Sequence, residues 1–267
     1  MSPKRDSILS FFCKSGPQLW LGGIFILGFL LRFFVWYCDP IITRDSYWYI
    51  LKAELMYGNG SIETTYEISS LSWGPPLLFF AMKSLMTFGL SAETAGVVLN
   101  LFFGSCIPII TWGIALEITQ NQKIAIASAL LIAVHPKMVK LSTQILRDMP
   151  YLFLIGLVLY FFLAGLRRQR CWCWFGCGTV LAFALMTRIE SFELAPLIPL
   201  SFCIMVITKK MSWRQAARGF SICCVCTALS FLFLIDIMQC KETIVQNYSS
   251  LITGKIKGIE LPFSEEE

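Results

Sequence analysis

Seven stretches of this chain, residues 18–37, 94–116, 122–139, 149–166, 171–187, 193–208 and 219–237, are apolar over most of their length. Nothing else in the sequence constrains the fold as strongly. A helix rising 1.5 Å per residue needs about 20 apolar residues to cross a hydrocarbon core of about 30 Å. In lipid the backbone must satisfy its own hydrogen bonds, and a helix does so within one segment. The runs therefore predict an all-α integral membrane fold with about seven transmembrane helices. Composition agrees, with 56% hydrophobic residues and only 15% charged, where a soluble domain carries about a quarter charged. An eighth run, 76–90, follows Pro75-Pro76 and spans only about 22 Å as a helix. Its length and the charge parity suggest that it lies along or dips into the outer face. The predicted organisation is a polytopic membrane domain over 1–240, with an outer loop and its juxtamembrane helices over 38–93. A short outer tail, 241–267, follows.

The first run begins after Lys4, Arg5 and Lys14, the polarity of a signal peptide. It is as long as a span, and Tyr37-Cys38-Asp39-Pro40 follows it instead of a small-residue cleavage site. An uncleaved helix is the reading. Basic residues mark the cytoplasmic side of membrane proteins. The clusters Lys4/Arg5/Lys14, Arg167/Arg168/Arg170 and Lys209/Lys210/Arg214/Arg218 fall on one side if seven helices cross and 76–90 does not. The expectation is a multi-pass cell-membrane protein with a cytoplasmic N-terminus, or an endoplasmic reticulum protein in a eukaryote. The sequons Asn59-Gly60-Ser61 and Asn247-Tyr248-Ser249 then lie on the outer side.

The 11 cysteines are mostly within or at the edge of apolar runs, where cysteine behaves as a small apolar residue. Cys171-x-Cys173 has no partner pair and no nearby histidine to complete a zinc site. His135, the single histidine, precedes Pro136 and reads as a polar helix end. No motif of paired acids or histidines announces a metal, so no cofactor is required, although a divalent cation stays open. No glycine-rich phosphate loop follows a strand, and nothing calls for a nucleic-acid partner.

Charged residues next to span ends are the candidates for chemistry, because ionisable groups at a membrane are costly unless paired or used. Asp45 opens a short amphipathic helix after the first span, with Tyr49, Ala53 and Met56 on its face at helical spacing. It could accept a proton from a nucleophile or merely cap the helix. Arg147-Asp148 precedes the helix opened by Met149-Pro150-Tyr151, and Arg188 and Glu190 sit between two spans. The expected topology puts Asp45, Arg147, Asp148, Arg188 and Glu190 on one side. Acids beside cations suit deprotonation of an acceptor and stabilisation of a departing phosphate. At the lipid surface, that phosphate would be lipid-borne.

Four segments in order resemble the N-terminal part of the C-type membrane glycosyltransferases, the superfamily of protein O-mannosyltransferases and aminoarabinose transferases. They are Arg44-Asp45 with Tyr49, Ala53 and Gly58, then Trp73-Gly74-Pro75-Pro76-Leu77. His135-Pro136 with Ser142 and Arg147-Asp148 follows, and Leu185-Met186-Thr187-Arg188-Ile189-Glu190 closes the set. The likeness covers about residues 18–210. It departs at Arg44, where the family often has a second acid before Asp45.

The resemblance implies an inverting glycosyltransferase, hexosyl or pentosyl, with the C-type fold, amphipathic juxtamembrane helices on the outer face, 76–90 among them, and a cell-envelope role. It would move a sugar from a polyprenyl-phosphate donor to an extracytoplasmic acceptor that is a lipid, a glycan or a protein. Asp45 is the implied base or acceptor binder and Asp148 the group that orients acceptor or donor. Arg147 and Arg188 are candidates for the carrier phosphate, with Lys83 and Lys140 behind them, and Arg44, Tyr49 and Glu190 complete the binding set. Many members are twice this length, so a minimal, truncated or split form is also an expectation. The rival classes are a transporter or flippase, favoured by broken helices, and a non-catalytic membrane subunit.

Overall fold

The computed structural model describes residues 17–57, 76–209 and 211–238, and every element among them is helical. In chain order these are α1 (Pro17–Cys38), α2 (Arg44–Tyr57), α3 (Leu77–Met86), α4 (Ala92–Thr119) and α5 (Gln122–Val134). There follow α6 (Pro136–Ser142), α7 (Asp148–Arg168), α8 (Cys171–Leu185), a 3-10 turn (Ile189–Glu193), α9 (Leu194–Ile207) and α10 (Trp213–Met238). The basic residues Lys4, Arg5, Lys14 and Lys210, Gly58, Trp73-Gly74-Pro75, both sequons and the 241–267 tail lie outside the described residues.

Five described helical stretches are long and apolar enough to cross a membrane: Leu19–Cys38, Ala92–Thr119, Asp148–Arg168, Glu190–Ile207 and Trp213–Met238. A sixth counts only if α5 and α6, bent by 56° to one another, are taken as one span. The count is therefore five to six where the hydropathy runs suggest about seven. Two local causes account for the difference. The run 122–139 is continuous in hydropathy, but Pro136 has no N–H and disfavours helical backbone at the residue before it. His135 is accordingly extended, with φ −62° and ψ 119°, and ends α5. The run 171–187 forms a helix of only 15 residues, about 22 Å long. It nevertheless carries the chain back along α7, because Arg188 just beyond its end pairs with Asp148 at the start of α7.

Sequence explains the helix ends. Ser91 caps α4 by accepting from Thr94 N at 3.2 Å, and Asn121 caps α5 by accepting from Lys123 N at 3.0 Å. Such side chains satisfy amide groups that a first turn leaves without partners. α4 and α7 end at Gln120 and Gln169, both left-handed, with φ 57° and 51°.

α4 runs through one half of the bundle against α1, α3, α5 and α7, while α8 is held between α7 and α10. The α8–α10 contact is close. A Cβ on Gly178 would lie 2.4 Å from the Cys223 carbonyl oxygen, and Thr227 Oγ1 donates to Gly178 O at 3.1 Å. Small residues permit this approach of two membrane helices, which lipid-phase packing favours. α3 contains 10 residues, about 15 Å, half of a hydrocarbon core. Its first amide, Leu77 N, donates to Met186 O at 3.1 Å, and Leu78, Met82 and Met86 pack with Ala53, Ala95 and Leu101. It thus joins the end of α8 to α2 and the start of α4.

The described ion pairs divide between the two ends. At one, Glu117 near the end of α4 pairs with Arg167 at 3.0 Å and with Arg168, both in the last turn of α7. At the other, Asp148 pairs with Arg188.

Candidate active site

The site is assembled at the end of the bundle opposite Glu117, from three segments far apart in sequence. The first is the start of α2. Its cap is Thr43, whose Oγ1 accepts from Ser46 N at 3.1 Å and meets Ser46 Oγ at 2.8 Å. Tyr47 N closes the first turn on Thr43 O at 3.0 Å. Asp45 is therefore not the N-cap. It stands in the first turn, exposed, where a carboxylate is favoured by the helix dipole. No described group hydrogen-bonds to it. Arg44 beside it is exposed as well.

The second segment is the start of α7, with Arg147 as the flanking residue and Asp148 in the first turn. The third is the turn after α8. Thr187 Oγ1 donates to Phe183 O and Ser191 Oγ to Ala184 O, both at 2.8 Å, and both side chains are buried. These bonds fix the extended backbone of Arg188, with φ −149° and ψ 137°. Its guanidinium reaches Asp148 Oδ1 through Nη1 and Glu190 Oε1 through Nη2, the latter at 2.9 Å. It also lies over the Tyr151 ring, 5.3 Å from the centroid. The bond to Glu190, with the charges of Glu190 and Asp148, pushes Arg188 above its usual range against the opposing effect of burial. Nε of Arg188 is buried without a partner among the described residues.

Tyr49 links the segments. It stacks at a tilt on Phe79 of α3, with ring centroids 5.6 Å apart. Burial raises its phenol above the usual range. The charges of Asp45 and Asp148 add to the rise, while Arg147 and Arg188 oppose it. Asp45, Arg147, Asp148 and Arg188 thus lie near enough for their charges to reach one phenol, and Glu190 joins them through its pair with Arg188. Of the other sequence candidates, Lys83 lies in the last turn of α3 with no described ion pair. Lys140 lines a groove of about 330 Å³ with Asp39, Leu31 and Val35 instead. Among the described residues no three His, Cys, Asp or Glu side chains converge in a way that could hold a metal ion.

Residues 74–238 match the family described as dolichyl-phosphate-mannose-protein mannosyltransferase, which is more than half of the chain. The chain belongs to the dolichyl-phosphate-mannose-protein mannosyltransferase family. It is a membrane glycosyltransferase of the mannosyltransferase type. No curated protein matches it. The stretch matched to the mannosyltransferase family holds Lys83, Lys140, Arg147, Asp148, Arg188 and Glu190; Arg44, Asp45 and Tyr49 precede it.

Sequence reasoning passed over two groups. Arg32 inside α1 is fully buried, and Glu117 near the end of α4 has a side chain only 2% exposed. A charge within an apolar run was the signal for Arg32, and an acid directly after the 94–116 run for Glu117.

Proposed function

We propose that this chain transfers a mannosyl group from a polyprenyl-phosphate carrier to a hydroxyl-bearing acceptor at the Asp45–Asp148–Arg188 end. That end would face away from the cytoplasm, with the arginine-rich end of α7 on the cytoplasmic side. The observation that carries the reading is the meeting of Asp45, Tyr49, Arg147, Asp148 and Arg188, drawn from three separate segments, around one spot. Asp45 takes the proton as the acceptor oxygen attacks the anomeric carbon. The bond from that carbon to the phosphate oxygen breaks, and the phosphate leaves on its lipid. A single displacement inverts the anomeric centre.

Arg188 is already engaged by two carboxylates, so its role shifts from carrying the phosphate to holding Asp148 and Glu190 in place. Arg147, which has no described ion-pair partner, is the better placed cation for phosphate charge. The broken α5–α6 pair would favour a transporter. However, the Ala133 carbonyl freed at the break is taken up within the protein by Arg32 at 3.0 Å.

The test uses purified protein in vesicles carrying dolichyl-phosphate mannose with labelled mannose. A Ser/Thr-rich peptide and an octyl glycoside are offered as acceptors on either side of the membrane. Label should pass to one of them only on the side of α2. Label that stays on the carrier on both sides overturns the proposal.

A further inference from the structure

Arg32 sits well inside α1, in a helix apolar enough to cross the membrane, and is fully buried. A cation there is costly unless it has a purpose. None of the described ion pairs involves it. Its partners are neutral and belong to three different helices. Nη1 donates to Gly28 O in its own helix at 2.9 Å and to Ala133 O at 3.0 Å. Nε donates to Ser142 Oγ at 3.1 Å.

Ala133 and Ser142 flank the break between α5 and α6. In an unbroken helix the carbonyl of Ala133 would accept from the amide of Lys137. Pro136 and the 56° bend remove that bond, and Arg32 replaces it. A freed backbone carbonyl in a membrane interior needs such a partner. The single O–H of Ser142 donates to Met138 O at 2.7 Å or, alternatively, to Met149 Sδ, which lies 3.2 Å from the same oxygen and so packs directly on it. Met149 is fully buried and directly follows Asp148. α4 leaves room for the arrangement. A Cβ on Gly104 would lie 2.2 Å from Ser142 Oγ and 3.1 Å from Arg32 Nε.

We infer that Arg32 is a positioning residue: through Ser142 and Met149 it fixes the start of α7, and with it the placement of Arg147 and Asp148. Arg32 touches no reacting group. It acts by holding the bend at a set angle, so that the 143–148 corner returns to Tyr49 and Arg188. A lysine at position 32 keeps the charge and can reach the carbonyls. It has no second branch to reach Ser142 at the same time.

Two variants test this in lipid nanodiscs, Arg32→Lys and Ser142→Ala, the second leaving the arginine in place should the first fail to fold. Amide hydrogen exchange should quicken across 138–150 in both and stay unchanged across 92–119. The catalytic arm rests on the mannosyl-transfer reading and uses dolichyl-phosphate mannose with the acceptor that takes label. KM should rise by about tenfold to 10²-fold, the scale of a misplaced group, for the donor, whose phosphate Arg147 would meet, and for the acceptor as well. Loss of Vmax with both KM values unchanged would mean a structural role only and overturn the inference. So would exchange at the wild-type rate in both variants. If wild-type protein moves no label, the transfer reading fails by itself, and the exchange measurement still decides whether Arg32 fixes the corner.

Discussion

Thr43 and Asp45 stand two residues apart and divide the duties that the sequence leaves open for Asp45 alone. Because Thr43 caps α2, Thr43→Ala should lower stability by about 0.5–2 kcal/mol. Asp45→Ala should cost much less, no more than the about 0.3–1 kcal/mol of a helix-dipole contact. Thermal unfolding of both variants in detergent checks the order, and a larger loss for Asp45→Ala would return the capping role to Asp45. Lys52, one turn beyond Tyr49, lies 4.5 Å from the Phe79 ring centroid, and burial lowers its amine to about 8 from the ordinary 10.5. Between those values the unfolded chain binds the extra proton, so this residue makes stability rise with pH. Below pH 8 both states are protonated and the slope vanishes. The difference in stability between wild type and Lys52→Met should therefore shift in favour of wild type from pH 8 to 10. A flat difference would show that the amine is not desolvated.

Elements were legible where hydropathy and turn chemistry agree. Five of the seven span runs, the helix that opens near Asp45 and the Arg188 turn read from sequence, because apolar length and helix-breaking residues mark them. Asp148 and Arg188 were legible as candidates, but their pairing joins residues 40 apart, and no local pattern encodes it. The α5–α6 break was half legible: His135 before Pro136 reads as a polar helix end, but Met138 and Val139 resume the apolar run beyond it, so the bend itself left no mark. The Thr43 cap escaped notice because Asp45 is an equally good capping residue type. The close crossing of α8 and α10 left only a weak mark, the small-xxx-small pair Gly178 and Ala182. It does carry a prediction. Gly178→Val would push a side chain into the Cys223 backbone, which cannot move as a flexible side chain would. Overpacking of this sort costs about 1–3 kcal/mol. Gly22→Val, where nothing lies within 4 Å of the added Cβ, is the control. Equal stability of the two variants would contradict the crossing.

The whole molecule is a helical membrane protein with an ion cluster at each end, and the two clusters do different work. Glu117 is nearly buried, whereas Arg167 and Arg168 are about half exposed. Removing both arginines leaves a buried carboxylate unpaired, a loss of about 3–5 kcal/mol. Glu117→Gln leaves two arginines that water can still reach and should cost clearly less. Unfolding in mixed micelles would show this asymmetry, and equal losses would mean that Glu117 is not held in a dry site. At the opposite end the exposed Asp45 and the tethered Asp148 face the same neighbourhood, and the mannosyltransferase chemistry is proposed there. The most direct test of that claim is turnover of Asp45→Asn at saturating dolichyl-phosphate mannose, compared with wild type at matched folded concentration. If Asp45 takes the acceptor's proton, turnover falls by about 10²–10⁴-fold while donor binding and stability are kept. Turnover within about twofold of wild type, far short of a lost general base, would remove Asp45 from the mechanism.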